Sequence, residues 1–203
     1  MKHLLKCLVI VTFIGLYSRS FSQKLLDTYT FASKDYDISI SKDKKGKFTL
    51  WIDAYGLDAL HKTGSLMVRE KAYPDFLSAL EKAKVKYDEW IVTAKDNNVT
   101  DLNKEMPIKC TVEAYFMYGS DWHFQSFAPI TFKFIVMDFK DELYYSCLIS
   151  TGKLKSSTNE YMEIDGFMLS FDSSASISTF IEKISYAKIT DFFKKPSEED
   201  LFK

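Results

Sequence analysis

Three histidines and three cysteines are the only imidazoles and thiols in the chain, and their spacing limits the chemistry it can hold. A general base or nucleophile needs a partner within hydrogen-bond reach. Past residue 22 the imidazoles are His61 and His123, and the thiols are Cys110 and Cys147. Neither histidine has metal-ligand spacing to another His or Cys, so no metal site is expected. Asp121-Trp122-His123 is the arrangement closest to a catalytic one, a carboxylate near an imidazole, and a cell-envelope hydrolase would be built on that pair. In a strand the two side chains are expected to diverge, and in a turn to meet. Asp53, Glu163 and Asp165 are acids in strand-like segments from which no paired-carboxylate site follows. The glycines are not clustered, so no backbone cradle for phosphate is expected, and no cofactor. Cys110 and Cys147 read as buried free thiols. A disulfide is the alternative in an oxidising compartment, provided the two Cα atoms lie within about 7 Å.

The stronger signal is aromatic. Tyr115, Phe116, Tyr118, Trp122, Phe124 and Phe127 lie along a hairpin, and successive residues of a strand face opposite sides, so both faces carry rings. If one face has no core to enter, its exposed rings mark a ligand or partner surface, for a glycan or a protein. Tyr115, Tyr118, Trp122, His123 and Phe124 are therefore the candidate binding residues. The alternative is a ring cluster covered by helices on both sides.

The elements that position these residues follow from periodicity. Tyr36, Ile38 and Ile40 alternate with polar residues, a charged turn at 42–47 surrounds Gly46, and Phe48, Leu50, Ile52 and Ala54 alternate again, which is a hairpin pattern. Residues 64–70 form a further short strand. Pro74 opens a helix, where its missing N–H costs nothing. Phe76, Leu80, Ala83, Tyr87, Trp90 and Ala94 then share one helical face, the stripe of a helix laid on a sheet. Residues 96–106 read as a polar linker. Strands are expected at 107–118, 122–127, 130–139, 143–150 and 161–171, followed by one helix capped by Asp172, Ser173 or Ser174 and carrying Ile177, Phe180, Ile181, Ile184 and Phe192 inward.

A shift of 101 residues sets Leu66-Met67-Val68 on Phe167-Met168-Leu169, and Glu81-Lys82 on Glu182-Lys183. The expected fold is α+β: antiparallel sheets with two covering helices, built by internal duplication of a ββββα unit, with half-repeats at about 23–96 and 107–193 in a single domain.

The first 22 residues read as a signal peptide. Lys2, His3 and Lys6 precede an apolar run at 7–16 that is too short to span a bilayer, and Ser20 and Ser22 fit the cleavage positions. Removing this leader takes Lys2, Lys6 and Arg19 and no acid from the 27 cations and 28 acids, which leaves 24 against 28, a net of −4. Arg69 is then the sole arginine. Because arginine's planar fork is the preferred bidentate partner of phosphate and base edges, such a chain is a poor reader of nucleic acid. A periplasmic or secreted location is expected, with no stable membrane span after cleavage and a polar tail at 194–203.

Two resemblances accompany these readings. A repeated ββββα unit resembles the Whirly-type single-stranded-DNA-binding fold, and Lys45-Gly46-Lys47-Phe48-Thr49-Leu50 is similar to the Lys-Gly-Lys-Ala-Ala-Leu motif of that family, with Phe48 and Thr49 in place of two alanines. That resemblance implies nucleic-acid binding through Lys42, Lys44, Lys45 and Lys47 in the turn, which export, negative charge and the lone arginine all oppose. The Ser-Phe-Ser-Gln junction at 20–23 and the lysine-rich body are similar to exported Bacteroidetes proteins of unknown function, which implies a location and no activity. The expected function is a non-catalytic module that binds a cell-envelope ligand or protein. The alternatives are a hydrolase using His123 and single-stranded nucleic-acid binding.

Overall fold

A computed structural model describes residues 23–140 and 142–194. The leader at 1–22 and the tail from 195 onward lie outside these residues. Strands β1 (Lys24–Phe31), β2 (Lys34–Lys42), β3 (Phe48–Asp53) and β5 (Gly64–Arg69), with the short β4 (Tyr55–Gly56) between the last two, precede helix α1 (Tyr73–Asp96). After β6 (Leu102–Glu105) come β7 (Cys110–Tyr118), β8 (Asp121–Phe139), β9 (Glu142–Ser150), the small pair β10 (Leu154–Lys155) and β11 (Glu163–Ile164), and β12 (Phe167–Phe171). Helices α2 (Ser174–Lys183) and α3 (Tyr186–Lys194) close the described chain. The fold is α+β.

Ten strands form one antiparallel sheet in the order β1-β2-β3-β5-β7-β8-β9-β12-β4, with β6 paired to β8. β4 follows β3 in the chain yet pairs with β12, so the last strand returns to the first ones. The inner face carries Leu50 and Ile52 of β3, Leu66 and Val68 of β5, Ala114 and Phe116 of β7, and Phe132 and Phe134 of β8, all buried. α1 covers this face with Phe76, Leu80, Ala83 and Tyr87. Asp75 in its first turn and Lys95 in its last suit the helix dipole. The buried Tyr87 ring meets Phe134 edge-on, and its hydroxyl lies 3.2 Å from the Tyr145 carbonyl and 3.0 Å from that of Asp172, tying helix to strand ends. Burial pushes that hydroxyl's pKa up to about 12, which keeps it a donor.

Several expectations are corrected. The 96–106 segment is not all linker: Leu102–Glu105 adds an edge strand to β8 although three of its four side chains are polar, held by backbone pairing and by Leu102, which packs against the core. The strands expected at 122–127 and 130–139 are one strand of 19 residues. It stays continuous because a bulge opposite β7 absorbs one extra residue, Val112 pairing with Ala128 but Ala114 with Gln125. Phe127 sits in this bulge at φ 57° and is 81% exposed. The extra residue swaps which alternate positions face inward. His123 and Gln125 share the face of buried Phe116 and Ala114 before it, and Ala128, Ile130, Phe132 and Phe134 are buried after it. The 161–171 segment yields only β11 and β12, with Tyr161 exposed.

The expected final helix is two helices. Ser173 caps α2 in a reciprocal capping box with Ser176. The helix then ends at Ile184, whose carbonyl accepts the Tyr73 hydroxyl at 2.9 Å, and Ser185 Oγ accepts from Lys188 N to start α3. All three helices follow the two strand runs, and α1 and α2 pack against each other. Among the described residues no helix is long and apolar enough to cross a membrane.

α2 and α3 are pinned to β1 by charge. Asp27, where a register shift interrupts the β1–β2 ladder, takes Lys183 Nζ at 2.7 Å and Lys188 Nζ at 2.9 Å. Burial pushes its carboxyl up, but the two lysines and the Thr28 N–H outweigh that and hold it at about 2, below the ordinary 3.8. A depressed folded-state pKa contributes stability above the unfolded value, and that contribution disappears as pH falls from about 4 to about 2. In urea titrations over this window, Asp27→Asn is expected to lose less stability on acidification than the parent, by about 1 kcal/mol or less after solvent screening. Parallel acid profiles would show that the lysines do not hold β1.

Candidate functional site

The outer face of the sheet across β2, β3, β5, β7 and β8 carries a cluster of aromatic rings and paired charges. Register explains why they meet. Ser41 pairs with Thr49 and Thr49 with Arg69; Trp51 pairs with Met67 and Met67 with Glu113; Asp53 pairs with Ser65, Ser65 with Tyr115, and Tyr115 with Phe124. Each rank is a set of laterally adjacent positions on the face opposite Leu50, Leu66 and Ala114. Met117 and Trp122 form a further pair on the same side.

Three rings form an aromatic corner. Tyr115 and Trp122 stack with centroids 5.2 Å apart and planes at 20°, while Trp51 stands edge-on to Tyr115 at 5.7 Å and 86°. Trp51 Nε1 donates to Ser41 Oγ at 3.0 Å, which satisfies the indole's polar handle and fixes its orientation. Met67 is buried beside these rings, and Trp122 is 46% exposed. Beside the corner, Arg69 grips Glu113 through two bonds, Nε to Oε1 at 2.5 Å and Nη2 to Oε2 at 2.9 Å. A groove of about 1230 Å³ runs between them, with Phe124, Ser126, Lys47 and Glu70 also on its wall. A second groove of about 540 Å³ shares Trp51 and Tyr115 and continues past Trp122 to Asp53, Lys34 and Lys62.

The polar side chains here are tied to one another. Ser65 Oγ donates to Asp53 Oδ1 at 2.6 Å, and burial still pushes the Asp53 carboxyl above its ordinary range. Lys47 Nζ lies 3.5 Å from Glu70 Oε1, while Glu70 Oε2 is buried with no donor among the described residues.

The expected binding residues divide between the two faces. Tyr115, Trp122 and Phe124 line the grooves. Tyr118 and His123 take the opposite face: His61 stacks on Tyr118 at 4.2 Å and 5°, and His123 lies 5.9 Å from Phe116 and 6.3 Å from Tyr118 by ring centroid. Asp121 and His123 are two apart in a strand, so alternation puts them on one face rather than sending them apart. No hydrogen bond joins them among the described residues, and the acid that meets an imidazole is Asp58, 3.3 Å from His61 Nδ1. Trp51, Arg69 and Glu113 are groove residues that the sequence reading does not single out as binding candidates. Trp51 carried a signal, since it occupies the outward position between Leu50 and Ile52, where a polar residue is the norm.

The thiols and the basic turn are accounted for structurally. Cys110 and Cys147 are free and buried, and burial pushes their pKa values up to about 11 and about 12, leaving little reactive thiolate at neutral pH. In the 42–47 turn, Asp43 Oδ1 accepts the Lys45 and Lys47 amides at 2.8 Å each, and Lys42 Nζ lies 3.8 Å from the Phe193 ring centroid. No group of three or more His, Cys, Asp or Glu side chains among the described residues is placed to hold a metal ion. No family model, curated protein or solved structure matches the chain.

Proposed function

We propose that the chain is a periplasmic or secreted, non-catalytic binding module whose site is the outer-face groove. The observation that supports this most strongly is the aromatic corner of Trp51, Tyr115 and Trp122, set rigidly on strands on the side of the sheet away from the core. Rings held in place by a sheet and a Trp–Ser hydrogen bond lose little freedom on binding, which favours affinity. The groove's acids and bases are largely committed to each other as structural pairs, the arrangement of a recognition surface. A duplicated origin of the two ββββα runs belongs to the same reading. It is supported by the helix starts, Tyr73 and Ser174, which lie 101 residues apart, the same offset that sets Leu66-Met67-Val68 on Phe167-Met168-Leu169.

The reading is tested by sedimenting the mature chain with insoluble cell-envelope material from the producing cell. The double variant Tyr115→Ala/Trp122→Ala is expected to lose at least about tenfold in retention while melting within a few degrees of the parent, because both rings lie outside the core. Val85→Ser, on the exposed side of α1, should bind as the parent does. An aromatic-deleted variant retained as well as the parent, or a parent that is not retained at all, would overturn the reading.

A further inference from the structure

We infer that the groove takes a neutral saccharide chain, a ligand class that rests on the binding reading above. Three observations point to it. The larger groove is lined by three cations, Lys47, Arg69 and Lys71, and three carboxylates, Asp43, Glu70 and Glu113, with Arg69–Glu113 and Lys47–Glu70 paired within it. A wall of balanced, internally paired charge gives no net attraction to a polyanion such as nucleic acid, and no net attraction to a polycation.

Those same pairs present donors and acceptors side by side. A polyhydroxylated ligand answers both, because each hydroxyl donates once and accepts twice. The aromatic corner supplies the third element. A pyranose ring is polar at its rim and apolar on its C–H faces, so it lies flat on an indole or phenol while its hydroxyls reach the flanking polar groups. Trp51, edge-on to the Tyr115–Trp122 stack, offers two ring planes at a steep angle, which suits consecutive, mutually rotated sugar units better than one flat aromatic ligand.

Size argues for a chain over a single sugar. The main groove exceeds the roughly 300–1,000 Å³ of a small-molecule pocket, and the second groove extends it through shared Trp51 and Tyr115. A proline-rich peptide also docks on aromatic grooves, but such peptides carry few donors and would leave the paired charges unanswered.

The probes are soluble neutral polysaccharides (a β-1,3-glucan, a β-1,4-glucan derivative, glycogen, a xylan and a galactomannan) in affinity electrophoresis and calorimetry with the full mature chain. Heparin, poly-dT and a polyproline peptide are run as contrasts. At least one neutral polysaccharide is expected to bind, with affinity changing less than about twofold between about 0.05 and 0.5 M salt, since a neutral ligand releases no counterions. Trp122→Ala and Tyr115→Ala should each weaken it about tenfold or more. Trp122→Phe, which keeps a ring, should restore part of the loss, and all three variants should melt within a few degrees of the parent, which separates lost binding from lost folding. Binding to heparin or poly-dT that falls steeply with salt, or to polyproline alone, would overturn the inference. So would silence across the neutral panel. If envelope retention still depends on Tyr115 and Trp122 in that case, the binding reading stands and the saccharide class falls; if retention is also absent, both fall.

Discussion

Gly166→Ala is expected to lower the unfolding free energy by about 3 kcal/mol or more, the largest effect of a glycine-to-alanine change among the described residues. Gly166 precedes β12 at φ +93°, a conformation that side-chain-bearing residues rarely adopt, and its carbonyl accepts Leu57 N at 2.9 Å. A Cβ there would lie 1.7 Å from the Gly152 carbonyl oxygen and 2.5 Å from Thr151 Oγ1. Neither neighbour can yield cheaply, since Thr151 Oγ1 accepts the Phe167 amide at 3.0 Å and Thr151 N donates to the Phe167 carbonyl at 3.0 Å. The backbone strain alone is worth about 1–3 kcal/mol, and forcing the two segments apart adds a comparable amount. Against a whole-domain stability of about 5–15 kcal/mol, the variant should unfold at markedly lower urea concentration. A midpoint unchanged from the parent would show that the β9–β12 connection gives way freely.

Phe134→Ala should cost about 3–5 kcal/mol, the range for deleting a buried ring. Phe134 has no exposed surface and lies within 5.7–6.4 Å, centroid to centroid, of Tyr87, Trp90 and Tyr145. Its strand is held on both sides, by β6 and β9, so collapse into the vacated space is resisted. Phe134→Leu should recover more than half of the loss. Equal melting temperatures for the alanine variant and the parent would mean that α1 does not rest on this ring.

The same packing shows what local sequence can and cannot disclose. The α1 stripe and the β2–β3 hairpin were legible because their apolar residues keep an unbroken period of about 3.6 or 2. β1 was not: its buried residues Leu26 and Tyr29 are three apart, because the register shift beside Asp27 breaks the alternation. β6 reads as linker because Leu102 is the one apolar residue of its four, too few to show a period. The break between α2 and α3 falls inside a continuous apolar stripe, and the Tyr73 hydroxyl that occupies the last carbonyl comes from 111 residues away.

For the site, Tyr115, Trp122 and Phe124 were legible as rings on a hairpin, and the sides of the sheet they share were not. Tyr118 and His123 take the other face because one hairpin carries rings on both faces, and composition does not say which face the helices cover. Arg69 and Glu113 lie 44 residues apart, and only the β5–β7 pairing brings them together.

The bulge at Phe127 makes β8 a ribbon read in two frames. One frame points Trp122 and Phe124 to the groove, and the other points Phe132 and Phe134 to the interior. Losing or gaining a single residue between them would restore one frame by inverting the other, so this stretch tolerates changes of length only in steps of two. The groove face and the hydrophobic interior are thus locked together by one supernumerary residue whose own side chain is 81% exposed.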